Sequence, residues 1–243
     1  MNKNSIIELK NINQHFEEDG RKIHVLKDIN LSIQEKEFLI LLGPSGSGKS
    51  TLLRVMAKLL APSSGRIITK TKRAGFIFQN FALMPWLTVE ENISFGLTMA
   101  NKNLRARQKI TQQLIKEVGL QGFEKTRPRE LSGGMKQRVG IARALAIEPD
   151  IIFLDEPFSA LDSFTAEKLR QDLLALWRKK KLTMVMVTHL TEEAVLMADR
   201  VAVLSPCPAR IETIVENPLQ RPRNPRSQNF FKLVDQLRES VKY

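Results

Sequence analysis

The stretch that decides the fold is Gly43-Pro44-Ser45-Gly46-Ser47-Gly48-Lys49-Ser50-Thr51. It fits the phosphate-binding pattern G-x-x-x-x-G-K-[ST]. Its glycines allow backbone N–H groups to turn inward around phosphate oxygens. Lys49 would reach the β- and γ-phosphates, and the Ser50 hydroxyl would ligate Mg²⁺. The stretch therefore predicts a nucleotide site.

The flanking sequence supports this interpretation. The apolar run at residues 37–42 is typical of a buried strand, and residues 51–60 form a helical pattern rich in Leu, Met and Ala. A helix that begins at the loop would present its positive dipole end to the phosphates. If the stretch were only a flexible loop of glycine and serine, the strand pattern before it, the helix pattern after it and the Lys-Ser pair would all be coincidental.

Length and composition fit one large domain, with or without an inserted subdomain. The chain has 243 residues, 42% hydrophobic and 26% charged, with a formal net charge of +12. The charge suggests an anionic neighbour or simply a solvated basic surface. No secretory signal or membrane-length apolar run is present, so we expect a cytoplasmic protein. Cys207 is the only cysteine, which excludes an internal disulfide, and we interpret it as structural.

Upstream of the phosphate loop, short apolar runs at residues 6–9, 23–26 and 31–33 predict a small antiparallel sheet. Phe16 stands among polar residues at the tip of this sheet. Its ring could stack on an adenine or pack in the core, and the residues alone do not decide between the two.

After the phosphate loop, a short buried strand at residues 75–79 ends on Gln79, and amphipathic helix follows from 85 to about 128. This amphipathic pattern predicts an inserted helical subdomain. Trp86 at its start either belongs to an apolar surface or packs under the subdomain.

Leu131-Ser132-Gly133-Gly134 precedes a predicted helix that runs to about Ala146. The Ser132 hydroxyl, exposed N–H groups and the helix dipole could bind an anion there, although a simple helix cap fits equally well.

The apolar strand at residues 151–156 ends in Asp155 and Glu156. Ligands of open α/β sheets bind at the carboxyl ends of strands, so these carboxylates should lie beside the phosphates. Asp155 suits Mg²⁺ binding through water, and Glu156 suits a general base for the attacking water. His189 follows the next strand, 183–187, where an imidazole can reach a γ-phosphate or the water.

A last strong strand at residues 201–204 precedes an extended basic segment, 218–225, and a terminal amphipathic helix. The order of all these motifs resembles the ATP-binding subunits of ATP-binding cassette (ABC) transporters over essentially the whole chain. The signature Leu131-Ser132-Gly133-Gly134 is the most specific feature, because other phosphate-loop ATPases lack it.

The resemblance implies an α/β fold: a P-loop NTPase (RecA-like) core with a mainly parallel sheet, an N-terminal antiparallel β subdomain and an inserted α-helical subdomain. We expect one ABC ATPase domain over 1–243. The nucleotide-binding core with the β subdomain would comprise residues 1–84 and 147–220. The helical subdomain with the signature would comprise residues 85–146, and a basic linker with the C-terminal helix would comprise residues 221–243.

The resemblance also implies roles for individual residues. The phosphate loop binds ATP, with Phe16 stacking on adenine. Ser50, Gln79 and Asp155 hold Mg²⁺, and Glu156, His189 and Gln79 are catalytic. Two copies would sandwich two ATP molecules head to tail, with Ser132, Gly133 and Gly134 of one copy closing over the γ-phosphate in the other.

The resemblance further implies two membrane-spanning permease subunits, an extracytoplasmic solute-binding protein, and a peripheral location at the cytoplasmic face of the inner membrane. The segments 81–86 and 204–206 are similar to the importer subgroup for nitrate, sulfonate and taurine. Ala209 departs from a glycine common in that subgroup. An exporter is the alternative within this class. A nucleic-acid ATPase would fit the +12 charge, but the chain lacks a second cassette, a zinc insertion or a coiled coil, so no nucleic acid is expected.

Overall fold

The computed structural model describes residues 4–18, 20–99 and 103–241. Its Cα atoms separate into two compact units. The first unit combines the residues up to Thr71 with those from Thr183 onward, and the second is Lys72–Leu182. No helix of the described residues is both long and apolar enough to cross a membrane.

The first unit contains an antiparallel sheet made of β1 (Ser5–Glu18), β2 (Arg21–Gln34) and β4 (Ser64–Thr69), in the order β2-β1-β4. The predicted antiparallel subdomain is therefore confirmed. The short strands predicted at 23–26 and 31–33 are parts of one strand, because bulges in the β1–β2 pairing keep the two long strands hydrogen-bonded as they bend. The polar sequence at 17–20 predicts a turn, and its Asp19 lies outside the described residues.

A second layer of the same unit contains three parallel strands in the order β7 (Thr183–Thr188), β3 (Phe38–Leu42) and β8 (Arg200–Leu204). Every residue of β3 and β7 is buried, as expected for strands covered on both faces. The antiparallel β9 (Ile211–Glu216) pairs with β8.

The described residues of this unit form the helices α1 (Lys49–Met56), α6 (Thr191–Met197) and α7 (Gln228–Ser240). The predicted helix at 51–60 therefore begins two residues earlier and ends sooner, because Lys58 adopts a positive φ of 58°. The sequence predicts Thr191 as the cap of α6, but the N-cap is Leu190, which makes no side-chain cap hydrogen bond.

The second unit contains the parallel pair β5 (Ala74–Ile77) and β6 (Ile151–Asp155). Its helices are α2 (Val89–Met99), α3 (Leu104–Glu117), α4 (Gly133–Ala146) and α5 (Ser163–Lys180). Asn103, Ser132 and Asp162 cap the last three by accepting a hydrogen bond from the N–H three residues later. The predicted α/β class, with helices between residues 85 and 128, is confirmed.

Candidate functional site

The phosphate loop connects the buried strand β3 to helix α1, as the sequence predicts. Gly48, the N-cap of α1, has a φ of 89°, which favours glycine. A Cβ atom at this position would also lie 2.8 Å from Cγ1 of Val25. The sharp turn into α1 therefore depends on glycine at position 48, and it directs the first N–H groups of the helix into the loop.

The interior of the loop carries a buried cation and an unpaired hydroxyl. The ammonium of Lys49 donates to the carbonyl oxygens of Gly43 (2.9 Å) and Pro44 (2.7 Å), and the side chain is only 4% exposed. The Ser47 hydroxyl is buried and has no hydrogen-bond partner among the described residues. A buried donor without a partner costs free energy. Phosphate oxygens, which accept hydrogen bonds, fit this combination.

Two further predicted site residues, Phe16 and His189, belong to the same unit as the phosphate loop. Phe16 lies near the end of β1, pairs across the hairpin with Ile23 and is 41% exposed. The interpretation of Phe16 as a core residue is therefore wrong, and its ring face is accessible for stacking.

His189 lies just beyond the carboxyl end of β7 and is exposed. The backbone around it is fixed by a buried contact that the sequence did not predict. The Thr188 hydroxyl donates to the Glu193 carboxylate at 2.7 Å and accepts from the Leu190 N–H at 3.1 Å. These bonds span the turn that presents the imidazole.

In the second unit, β6 ends on Asp155, which is 4% exposed. Glu156 follows with a φ of 43°, a left-handed conformation that costs free energy for a residue with a side chain. Such strained positions cluster at functional sites. The bend turns the chain sharply where the predicted general base stands.

Gln79 and the acidic strand are joined by Ser159. The Gln79 side-chain amide donates to the Ser159 hydroxyl at 3.3 Å, and that hydroxyl donates to the Glu156 carbonyl oxygen at 3.0 Å. Gln79 is itself exposed. The structure therefore brings two of the predicted catalytic residues into one hydrogen-bonded chain.

The signature residues form the N-terminus of α4. Ser132 is the N-cap, and its hydroxyl accepts from the Met135 N–H at 3.3 Å. Ser132 is exposed, and Gly133 is partly exposed. The hydroxyl and the first N–H groups of α4 therefore present donors at an accessible surface.

Arg143, near the end of α4, was not singled out by the sequence analysis. Its guanidinium donates to the carbonyl oxygens of Ala82 (2.6 Å) and Phe81 (3.1 Å), two residues with positive φ just after Gln79. Burial lowers the pKa of Arg143 below its ordinary value. The available signal was a lone cation within the otherwise apolar run 141–146.

The oxygen donors suit Mg²⁺. Ser50, Gln79 and Asp155 supply a hydroxyl, an amide and a carboxylate, and Mg²⁺ is bound by few protein oxygens together with phosphates and waters. No group of three or more His, Cys, Asp or Glu side chains that could hold a metal occurs in the described part of the chain.

Comparisons with known proteins identify the family of the chain. The sequence family described as "ABC transporter" matches residues 26–159. The aliphatic sulfonates import ATP-binding protein SsuB of Bacillus subtilis is 48% identical, over 88% of this chain and 86% of that protein. The taurine import ATP-binding protein TauB of Pelagibacter ubique is 42% identical, over 83% of this chain and 79% of that protein.

A solved structure gives the same answer at the level of the fold. A dimeric ATP-binding cassette in a post-hydrolysis state with ADP and inorganic phosphate superposes with a TM-score of 0.78 and 34% identity. The superposition covers 88% of this chain and 100% of the solved chain. The chain therefore belongs to the ABC transporter family, as an ATPase that binds and hydrolyses ATP with Mg²⁺.

Proposed function

We propose that this chain is the ATPase subunit of an importer for a small anion such as a sulfonate, taurine or nitrate. The observation that carries the proposal is the complete set of nucleotide-binding and catalytic residue types in a chain without a candidate membrane helix among its described residues. The relatives SsuB and TauB are import proteins for aliphatic sulfonates and taurine, which favours import of a sulfonate or taurine over export.

In the proposed reaction, the loop residues 43–51 bind the triphosphate, and Phe16 stacks on the adenine. Lys49 neutralises charge on the β- and γ-phosphates, and Glu156 accepts the proton of the attacking water. His189 and Gln79 orient the water and the γ-phosphate. Ser50, Gln79 and Asp155 would hold Mg²⁺, which when bound would supply charge neutralisation on the phosphates.

We further propose a head-to-tail homodimer with two ATP molecules, in which Ser132, Gly133 and Gly134 of one copy close the site of the other. The dimeric solved cassette supports this assembly. The exposed N-terminus of α4 supports it too, because donors at a helix start suit a γ-phosphate contributed by a partner.

Two permease subunits would bind the chain at the cytoplasmic face of the inner membrane, and an extracytoplasmic solute-binding protein would deliver the anion. We place the permease contact near Pro85-Trp86. Trp86 is 69% exposed, so the alternative that it packs under the helices is wrong. A large aromatic side chain left in solvent is typical of a protein-binding surface.

The division of the chain into a core (1–84 and 147–220), a helical subdomain (85–146) and a C-terminal segment (221–243) remains part of this proposal. Under it, the signature and the permease contact share the helical subdomain, and the phosphate loop, Asp155 and Glu156 belong to the core.

The proposal is tested by reconstituting the chain with its candidate permease subunits in lipid vesicles, with a solute-binding protein and a panel of small anions. We expect one anion to stimulate ATP hydrolysis and to accumulate inside vesicles oriented for import. If no anion stimulates ATP hydrolysis but DNA or RNA does, the transport proposal is overturned. Efflux of the stimulating anion would assign the chain to an exporter.

A further inference from the structure

Helix α6 starts two residues after His189 and has seven residues, Thr191–Met197. The last four carbonyl groups of a helix have no partner within it. In α6 the Ala198 N–H satisfies only the carbonyl of Ala194. The carbonyls of Val195, Leu196 and Met197 need donors from elsewhere.

Those donors come from the C-terminal segment 217–226, which we call the arginine strap. Arg223 is 8% exposed, and its guanidinium donates to the carbonyl oxygens of Val195 (2.9 Å) and Leu196 (3.1 Å). The Asn217 side-chain amide also donates to Val195 at 2.8 Å. A charged donor at a helix C-terminus is further favoured by the helix dipole.

Arg221 supplies the donor for the third of these carbonyl groups. It donates to the carbonyl of Met197 and pairs with the carboxylate of Asp199. The other oxygen of that carboxylate accepts from the Phe38 N–H at 2.9 Å, at the start of the strand that leads to the phosphate loop. The strap therefore binds the end of α6 and, through Asp199, the beginning of β3.

The strap is anchored by α7. Phe230, Leu233, Val234 and Leu237 recur on one face of this helix and are buried. The helix contacts α6 and β9. Ser227 caps its first turn by accepting from the Phe230 N–H. An exposed pair between Arg238 and Glu192 adds a contact with the first turn of α6, which contributes little because it is solvated.

The opposite end of α6 reaches His189. Glu193 in its first turn is 7% exposed and accepts the buried hydrogen bond from Thr188, directly before the imidazole. A shift of the helix would move Glu193 and with it the turn of residues 188–190. One short helix thus connects the strap to the turn that presents His189.

We propose that Arg223 is a positioning residue for ATP hydrolysis: the arginine strap holds α6 in place and thereby sets the position of His189. The inference rests on the proposed role of His189. It also assigns Arg221 and Arg223 to contacts inside the chain, so these two cations of the basic C-terminal segment do not serve an external anionic surface.

The activity test compares Arg223→Met with Arg226→Met, which removes the same charge from an exposed strap position. We expect Arg223→Met to lower kcat about tenfold with KM for ATP unchanged, because small displacements of catalytic groups are costly. Arg226→Met should match the wild type. Arg223→Lys should recover part of the loss. In a His189→Ala background, Arg223→Met should lower kcat no further.

A direct readout uses the three histidines, His15, His24 and His189. In protein labelled with ¹³C at histidine, Arg223→Met should shift the imidazole signal of His189 and leave the other two in place. Asn217→Ala provides a milder variant with the same expected direction if Arg223→Met does not fold.

The two proposals fail in different ways. Full kcat in His189→Ala would refute the catalytic role of His189 and leave the histidine signals as the test of the strap. If His189→Ala lowers kcat but Arg223→Met and Asn217→Ala keep wild-type kcat and leave the His189 signal in place, the positioning role of the strap is overturned.

Discussion

At the scale of single residues, Gly134 shows how closely the signature helix approaches its neighbour. A Cβ atom at this position would lie 2.5 Å from Cγ2 of Thr165 on α5, a distance that real Cβ atoms do not tolerate. Gly134 is buried, so the added methyl group could not turn into solvent. The signature therefore requires glycine here for packing within the chain, before any contact with a nucleotide is considered.

We expect Gly134→Ala to destabilise the protein by about 1–3 kcal/mol, because the overlap displaces packed side chains. The gain of about 0.5–1 kcal/mol from replacing glycine in a helix offsets only part of this cost. Urea unfolding measures the difference. Adding Thr165→Ser removes the overlapping methyl group and should restore most of the stability. A single variant as stable as the wild type would contradict the packing argument.

The residues that sequence reasoning found and missed differ in the kind of partner they have. Lys49, Asp155 and Glu156 could be predicted because their residue types and spacing carry the chemistry. Arg143 and Arg223 could not, because their partners are backbone carbonyls distant in the chain. Any residue supplies a carbonyl, so even the lone cation in the apolar run at Arg143 indicates a buried arginine but not its partner.

At the scale of elements, the start of the β5–β6 pair is held by Asp150. Its carboxylate accepts from the N–H groups of Lys72 (2.7 Å) and Arg73 (3.0 Å), and its own N–H donates to the Arg73 carbonyl at 2.9 Å. The hydrogen bond from Arg73, followed by that from Lys72, lowers the pKa of this carboxyl below its ordinary 3.8. The charged form therefore stabilises the strand pair.

A depressed pKa gives stability that is fully present above the unfolded value and is lost as the pH falls through the folded value. Wild type should therefore exceed Asp150→Asn in unfolding free energy at pH 7, by less than about 1 kcal/mol because the group is exposed. The difference should shrink as the pH falls below 3.8. Unfolding titrations of both proteins measure it, with the exposed Glu167→Gln as control. A difference that stays constant with pH would contradict this assignment.

Among the elements, the buried strands and the long helices could be predicted from apolar runs and helical spacing. The strands β4 and β9 could not. All residues of β4 are exposed or partly exposed, and β9 alternates between exposed and partly exposed positions, so neither shows the apolar run of a buried strand. The Pro, Ser and Gly of residues 61–65 predict a turn, but β4 already begins at Ser64.

At the scale of the whole molecule, the predicted site residues are distributed over both compact units. Phe16, the phosphate loop and His189 belong to the first unit, and Gln79, Asp155, Glu156 and the signature belong to the second. The residue set was predictable from the sequence because each motif is local. The contacts that hold each motif in place were not predictable, because most of them join segments far apart in the chain.

The measurement that tests the central claim most directly is ATP turnover by Glu156→Gln beside wild type and Glu239→Gln, an exposed carboxyl on α7. We expect Glu156→Gln to lose at least about a hundredfold in phosphate release, the contribution of a general base. Equilibrium ATP binding should be retained, and Glu239→Gln should match the wild type. Retained turnover in Glu156→Gln would contradict the proposed mechanism.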